Sequence, residues 1–240
     1  MLNAISDSIL SIFYPQNCHI CKNSVESRAN GIACEACWNY THIFSDRDVV
    51  CSKCGAFVQE SEHPTESFCR HCDGHFYDSA RAIGVYEKAL AVSILHLKTT
   101  PYAAKNLQSL LKKAFFRSSF QDATLIVPVP LSSKRRLERG FNQAGLIAKS
   151  LARDTGIALD EYSLVRTVHT PMHRAAMDKK AREMTVKNAF QVKRPKLITG
   201  QNILLIDDIL TSGSTASHCA KALKKSGAAK VNVLTLARAV

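Results

Sequence analysis

The chain has 240 residues, a length that suits one hydrophobic core with a small accessory module. No run approaches the ~18 consecutive apolar residues that would span a bilayer, and the start lacks the features of a secretory signal. We therefore expect a cytoplasmic protein. An amphipathic first helix would either anchor the chain at the periphery of the inner membrane or pack on the protein's own surface. Its apolar residues are Ile5, Ile9, Ile12 and Phe13.

The net charge of +12 is divided unevenly along the chain. Residues 1–78 hold 5 Lys and Arg against 10 Asp and Glu, a formal charge of −5, whereas residues 79–240 hold 27 against 10, or +17. This split predicts two modules, 1–78 and 79–240, of which the basic one suits phosphate groups or nucleic acid. A solvated basic surface without a ligand would carry the same charge, so charge alone leaves both interpretations open.

Eight of the nine cysteines form four CxxC pairs in the acidic module. A CxxC turn points two thiolates at one position, and two turns separated by 12 to 14 residues complete a tetrahedral shell for zinc. We predict two structural zinc ions, because four thiolates leave no open position for catalysis. The predicted ligands are Cys18, Cys21, Cys34, Cys37, Cys51, Cys54, Cys69 and Cys72.

The cysteine pattern leaves alternatives open. Sequential pairing gathers the first four and the last four cysteines, whereas a cross-braced arrangement joins the first pair to the third. We favour sequential pairing because each loop then closes locally at low entropic cost. A disulfide framework would need an oxidising compartment. His19, His71 and His75 lie close enough to compete, but eight thiolates already fill two shells. Cys219, on a predicted helix, is expected in the core.

From Ala80 onward, predicted strands and helices alternate. In chain order they are the strand ARAIGVY, helices near Ala89–Leu97 and Ala103–Phe116, the strand TLIVPVP, a helix near Asn142–Arg153, the strands AFQV and NILLID, a helix near Ser214–Ser226 and the strand KVNVLTLA. This pattern predicts an α/β fold with a mainly parallel sheet flanked by helices. Ligands of such sheets bind at the carboxyl ends of strands.

The segment ILLIDDILTSGST, residues 203–215, concentrates the chemistry. Its apolar start predicts a buried strand that delivers Asp207 and Asp208 to its exit, where a carboxylate would accept hydrogen bonds from ribose hydroxyls. The donor-rich loop that follows opens a helix and would cradle a dianionic phosphate. Its residues are Thr211, Ser212, Gly213, Ser214 and Thr215. An ordinary capped helix would also use Ser and Thr, but it would not require two acids.

This segment resembles the phosphoribosyl pyrophosphate (PRPP) signature of type I phosphoribosyltransferases. With PVPLSSKRRLERGFNQA (Pro128–Ala144), KNAF (Lys187–Phe190), LHLK (Leu95–Lys98) and the four CxxC pairs, the chain is similar to the ComF family, which includes ComFC and GntX proteins. The likeness covers nearly the whole chain. It implies a type I phosphoribosyltransferase-like domain behind a double zinc ribbon, and a role in DNA uptake during natural transformation, with handling of incoming single-stranded DNA.

The resemblance also implies roles for individual residues. Asp207 and Asp208 would hold the ribose hydroxyls, and would be the catalytic residues of an active enzyme, while the loop at 211–215 would hold the 5-phosphate. Mg²⁺ would accompany PRPP by bridging its polyphosphate oxygens. The turn facing pyrophosphate would comprise Pro128, Val129 and Pro130. The residues that would meet DNA or polyphosphate are Lys98, Lys134, Arg135, Arg136, Arg139, Phe141, Asn142 and Gln143.

The sequence is compatible with more than one role for several of these residues. Phe141 would either stack on a base or be buried. The loop after Arg166 departs from the family pattern, with His173 near the position of an expected Gln, but it stays strongly basic. Three functions are compatible: a competence protein that binds PRPP and single-stranded DNA, an active phosphoribosyltransferase in nucleotide or cofactor salvage, and an adaptor with a vestigial PRPP site. The family resemblance further implies partners such as a DNA-uptake helicase or membrane channel proteins, while the oligomeric state is open.

Overall fold

The computed structural model of the protein describes residues 16–58, 69, 72–167 and 189–239. The expected amphipathic first helix, His71 and the loop containing His173 lie outside these residues. Lys187, the first residue of the KNAF segment, lies outside them as well.

A five-stranded parallel sheet forms the centre of the fold, with the strand order β1-β7-β6-β2-β3. Two further strands form a separate antiparallel pair, β4-β5. In chain order the strands are β1 (Ser79–Val85), β2 (Leu125–Pro128), β3 (Ala158–Leu159), β4 (Leu164–Arg166), β5 (Phe190–Val192), β6 (Asn202–Leu210) and β7 (Lys230–Arg238).

Helices cover both faces of the sheet. Successive side chains of a strand point to opposite faces. Leu204 and Ile206 accordingly belong to one core cluster, and Ile203 and Leu205 to the other. The helices are α1 (Glu35–Asn39), α2 (Lys88–His96), α3 (Lys105–Arg117), α4 (Ser133–Arg139), α5 (Gln143–Thr155) and α6 (Ser214–Lys225), with 3₁₀ turns at Arg28–Asn30 and Pro195–Leu197. None of the helices in the described residues is long and apolar enough to cross a bilayer. The predicted fold class, an α/β sheet with an amino-terminal cysteine module, is confirmed.

Three local predictions differ from the structure. β6 does not end at the acids but continues to Leu210, because β7 pairs with it along its whole length. The AFQV strand does not join the parallel sheet, because β5 pairs with β4 instead. The basic run after Ser132 is a helix, α4, that the sequence did not predict. Within this fully described helix no side chain is buried, so the run has no apolar periodicity.

The cysteine module packs against both faces and one edge of the sheet. Residues 42–44 pair with the free edge of β1, where Phe44 N–H donates to Ile83 O at 2.9 Å and Val85 N–H donates to His42 O at 2.9 Å. The first cysteine group contributes to the core on one face, and the second group to the core on the other. The predicted core position of Cys219 is confirmed, since its side chain is fully buried.

Gly84 in β1 marks the closest approach of the module to the sheet. A Cβ atom here would collide with the carbonyl oxygen of His42 and lie 2.9 Å from Cδ1 of Leu90. We therefore expect Gly84→Ala to lower the free energy of unfolding by about 1–3 kcal/mol, measured by urea denaturation. Gly74→Ala is the matched control, because a Cβ there meets no described atom within 4 Å. Equal stability of the two variants would contradict this account of the interface.

Candidate functional site

Two neighbouring strands bring the predicted site residues to one edge of the sheet. Pro128, the last residue of β2, pairs with Ile206 of β6, and Val129 N–H donates to Ile206 O at 2.8 Å. The turn Pro128–Pro130 therefore lies beside Asp207 and Asp208. Parallel pairing thus joins two segments that are about 80 residues apart in the chain.

The two acids are half-buried and partly satisfied by their own backbone. Asp208 N–H donates to Oδ1 of Asp207 at 2.9 Å, and Ile209 N–H donates to Oδ1 of Asp208 at 2.8 Å. Burial, and then the adjacent carboxylate of Asp208, raise the pKa of Asp207 well above its ordinary value, while the ammonium of Lys98 acts in the opposite direction. The structure therefore places Lys98 within electrostatic reach of the acid pair.

Gln143, the first residue of α5, is hydrogen-bonded to the acid pair. Its Nε2 donates to Oδ2 of Asp208 at 3.2 Å, and the side chain is only 5% exposed. Its Oε1 is buried and has no hydrogen-bond partner among the described residues. A buried carbonyl oxygen without a donor is costly, so this position suits a ligand that supplies a hydroxyl donor. The structure thus places Gln143 at the acid pair and not on an outer surface.

The loop 211–215 joins β6 to α6. Gly213 adopts a φ of +74° directly before the helix, and it has no side chain to cap the first N–H groups of α6. Thr211, Ser212 and Thr215 are exposed, and Ser214 N–H donates to Oγ of Ser212 at 3.4 Å. A helix start without an N-cap side chain, surrounded by hydroxyls, forms an environment suited to a dianionic phosphate.

The sequence did not indicate that His75, Phe76 and Tyr77 pack against this loop. A Cβ at Gly213 would lie 2.7 Å from Cε1 of His75 and 2.8 Å from the hydroxyl oxygen of Tyr77. Nδ1 of His75 and that hydroxyl are themselves hydrogen-bonded at 2.6 Å, and Phe76 N–H donates to Oγ of Ser217 in α6 at 3.1 Å. The end of the cysteine module therefore braces the loop, and only glycine fits at position 213. The signal in the sequence was a histidine three residues after a cysteine, which indicated only a competing metal ligand.

The basic segment follows the turn after β2, at the carboxyl edge of the sheet. α4 follows β2, and its side chains are exposed or half-buried, with Leu137 88% exposed. Oδ1 of Asn142 accepts from Ala144 N–H at 3.2 Å, and its Nδ2 donates to Val129 O at 3.0 Å. Asn142 therefore caps α5 and ties it to the turn after β2. Phe141 is half-buried. The basic side chains of α4 at this edge are Lys134, Arg135, Arg136 and Arg139.

The eight paired cysteines form two groups with sequential membership, Cys18–Cys21–Cys34–Cys37 and Cys51–Cys54–Cys69–Cys72. In each group the sulfur atoms lie within 4.8 Å of one another, with separations such as 3.5 Å for Cys21–Cys34 and 3.3 Å for Cys54–Cys69. Tetrahedral zinc with Zn–S bonds of about 2.3 Å requires S···S separations near ~3.8 Å. The structure describes all nine cysteines, and all are free thiols. Sequential pairing is confirmed, and the two groups have the geometry of two structural zinc sites.

In each cysteine group, hydrogen bonds from backbone N–H groups stabilise the thiolate form of one sulfur, which is the form that binds a metal. Burial opposes ionisation of both Cys18 and Cys51, but N–H groups of nearby residues outweigh it and lower the pKa of each to about 6. Ile20 N–H donates to Cys18 Sγ at 3.4 Å, and Cys69 N–H donates to Cys51 Sγ at 3.3 Å. Zinc binds thiolates and not thiols, so these donors favour metal binding at both groups.

Arg238, at the end of β7, is a buried cation beside the second cysteine group, and its charge indicates whether a metal ion fits there. Its Nη2 lies 3.7 Å from Sγ of Cys54, while its buried Nε and Nη1 have no hydrogen-bond partner in the described part of the chain. Four neutral thiols would leave this buried cation uncompensated. Zinc held by four thiolates carries a net charge of −2, which offsets the guanidinium. The residues present therefore fit zinc.

Known proteins resemble this chain in both modules. Residues 9–74 match the family model of the double zinc ribbon domain. DNA utilization protein YhgH of Salmonella typhimurium is 31% identical over 234 residues, which cover 93% of this chain and 97% of that protein. Competence protein F of Haemophilus influenzae is 28% identical over 239 residues, covering 95% of this chain and 99% of that protein. Competence protein ComFC of Bacillus subtilis is 36% identical over 115 residues, covering 48% and 44%.

Solved structures show a more distant likeness. The allosteric regulatory enzyme of purine biosynthesis matches with a TM-score of 0.38 and 19% identity, over 75% of this chain and 32% of that chain. Adenine phosphoribosyltransferase from Thermoanaerobacter pseudethanolicus matches with a TM-score of 0.37 and 15% identity, over 57% of this chain and 80% of that chain.

The position of Arg238 leads to a test of the second metal site. We expect Arg238→Met to weaken zinc retention at this site about ten-fold, as is typical when a residue supporting metal ligands is lost. Competition with a chromogenic chelator would show one of the two zinc ions leaving sooner. The first cysteine group lies away from Arg238 and serves as the internal control. Unchanged release of both ions would refute the role of Arg238.

Proposed function

Because the chain belongs to the ComF family, we propose that it binds PRPP at the carboxyl edge of its sheet and handles incoming single-stranded DNA in the cytoplasm during natural transformation. One observation carries the proposal: an acid pair with an unsatisfied amide oxygen lies on the same edge as a loop suited to phosphate. The names of the relatives, competence protein and DNA utilization protein, support the link to DNA.

The hydrogen-bond donors and acceptors at the carboxyl edge of the sheet determine how we propose that PRPP binds. The 5-phosphate would accept hydrogen bonds from the first N–H groups of α6 and the hydroxyls of loop 211–215. The ribose hydroxyls would donate to Asp207, Asp208 and the free Oε1 of Gln143. The pyrophosphate would face the turn Pro128–Pro130. Mg²⁺ bound with PRPP would neutralise the polyphosphate oxygens.

The charge of Asp207 is the feature that links binding to stability. Its folded-state pKa lies above the unfolded value, so ionisation disfavours the folded state and stability falls as the pH rises through the raised pKa. A bound ribose hydroxyl and Mg²⁺ would stabilise the ionised form. The acid pair therefore costs stability in the free protein and recovers it on ligand binding.

The proposed DNA contact rests on charge and position. α4 presents two exposed basic side chains, Lys134 and Arg136, and two half-buried ones, Arg135 and Arg139, within a region of formal charge +17. Arginine and lysine bind backbone phosphates with release of counterions, which requires no base sequence. The basic helix would therefore hold a single strand without regard to its sequence, as the uptake of foreign DNA requires.

The PRPP site is tested with Asp207→Asn in isothermal titration with PRPP and Mg²⁺. We expect a 10- to 100-fold loss of affinity, from a lost charge-assisted hydrogen bond of about 1.5–3 kcal/mol. The same variant should melt at a higher temperature without ligand at neutral pH, because the ionisation penalty is removed. Asp154→Asn, in the last turn of α5, is the matched control. Wild-type protein that does not bind PRPP would contradict the proposal.

The alternative function, an active phosphoribosyltransferase, uses the same bound ligand and differs in one result. The proposed function leaves PRPP intact when bases and amines are offered with Mg²⁺. Release of pyrophosphate that Asp207→Asn abolishes would instead identify an enzyme. Analysis of PRPP and pyrophosphate by ³¹P NMR separates the two outcomes.

The DNA contact is tested by the salt dependence of single-strand binding. We expect Arg135→Ala and Arg139→Ala each to weaken binding uniformly across sequences and to reduce the slope of log K against log salt by about one. Arg117→Ala is the control, because Arg117 is the exposed last residue of α3, after which the chain leads to the amino end of β2. Fluorescence anisotropy with labelled oligonucleotides measures all three variants. Binding that does not respond to salt would contradict the proposal.

A further inference from the structure

Tyr162 lies on an exposed surface that the proposed PRPP site does not use. Its side chain is 63% exposed, and the guanidinium of Arg194 lies 5.6 Å from the centre of its ring. An exposed aromatic ring stabilised by an arginine is a platform on which an unpaired base can stack.

The backbone under this ring is held firmly. Oδ1 of the buried Asp160 accepts from Tyr162 N–H at 2.9 Å and from Ser163 N–H at 3.0 Å, and the guanidinium of Arg194 pairs with the same oxygen. The ring therefore stands on a fixed turn, which lowers the entropic cost of binding a ligand.

Two hollows meet at Tyr162. One, of about 200 Å³, lies between α4 and α5 and is lined by Arg136, Phe141, Asn142, Lys149 and Glu161 as well as Tyr162. The other, of about 430 Å³, lies along the edge strand β3, where Arg194, Lys196 and Leu197 contribute to its lining with Tyr162. Each hollow therefore combines an aromatic ring with basic side chains.

The charges of this surface suit a polyanion. Its two carboxylates are already paired, Glu161 with Lys149 at 3.0 Å and Asp160 with Arg194. Arg136 and Lys196 add positive charge, one in each hollow. The surface is therefore positive on both sides of the ring, as a strand that passes over it requires.

We propose that Tyr162 is a nucleobase-stacking site for single-stranded DNA, with the strand running from the Arg136 hollow to the Lys196 hollow along the edge of β3. A base stacks on the Tyr162 ring, while phosphates on either side lie against the basic side chains. This inference rests on the proposed function, since it assigns the path of the same DNA.

The path also reaches the proposed PRPP site. Phe141 and Asn142 line the first hollow, and the next residue, Gln143, donates to Asp208. One short segment therefore touches both proposed ligands. Occupancy of one site is expected to change affinity at the other, by the same factor in both directions.

The test compares Tyr162→Ala, Tyr162→Phe and wild-type protein in anisotropy titrations with a fluorescein-labelled oligothymidylate. We expect Tyr162→Ala to weaken binding about ten-fold, as loss of one stacked base does, and Tyr162→Phe to bind as wild type. The salt slope should stay unchanged in Tyr162→Ala, whereas Lys196→Ala should reduce it by about one. Tyr40→Ala is the matched control, because Tyr40 is 75% exposed and has Lys88 5.9 Å from its ring.

A second measurement does not depend on the folding of any variant. Photocrosslinking of wild-type protein to an oligonucleotide containing 5-iododeoxyuridine should place the adduct on Tyr162. Adducts confined to other residues, or a Tyr162→Ala variant that binds as tightly as wild type, would overturn the stacking site while leaving the proposed function intact. Failure of wild-type protein to bind any single strand would overturn both.

Discussion

Residues 75–77 join the second cysteine group to the loop 211–215 at the edge of the sheet. The shape of that loop, and with it the proposed phosphate site, depends on this junction. The chain leaves Cys72 and, within five residues, places His75 and Tyr77 in the space that a side chain at position 213 would need. Phe76 is hydrogen-bonded to α6. The loop therefore keeps its shape only while residues 75–77 stay anchored. Gathering of the four thiolates by a metal would supply that anchor, because it fixes the chain just before these residues.

Arg238 connects the second cysteine group to the end of β7 as well. It ends β7, pairs in register with Leu210 of β6, and points its guanidinium at Cys54. Burial of this cation is tolerable only beside negative charge. A zinc tetrathiolate would supply that charge, so the sheet edge and the metal site depend on each other. The second cysteine group is therefore part of the architecture of the larger domain.

The acid pair, unlike the cysteine groups, lowers the stability of the free protein and is suited to binding a ligand. Asp207 is held where burial and Asp208 both oppose its ionisation, and Gln143 leaves a carbonyl oxygen without a donor. Neither feature stabilises the free protein. Both are explained if a hydroxylated, metal-bound ligand completes the site. Gln143 also follows directly on Phe141 and Asn142 of the neighbouring hollow, so a ligand at the acid pair and a strand at Tyr162 would share one helix start.

The sequence by itself determined the features that depend on local spacing. CxxC turns bring two thiolates together within one short loop, so spacing predicted the eight ligands and favoured sequential pairing, which the structure then confirmed. The apolar run of β6 and the alternation of strands and helices predicted the parallel sheet, and the acids after that run were found at its carboxyl edge. The roles given to these acids and to loop 211–215 stay predictions, because position alone does not test them.

Only the tertiary structure decided the features that depend on distant partners. The continuation of β6 to Leu210 required β7, and the removal of β5 from the parallel sheet required β4. α4 has no buried side chain, so no hydrophobic periodicity marked it. The bracing of Gly213 by His75, and the contact of Arg238 with Cys54, join residues more than 130 positions apart. A single sequence shows the order of residues, whereas these contacts arise only when the chain closes around a common core.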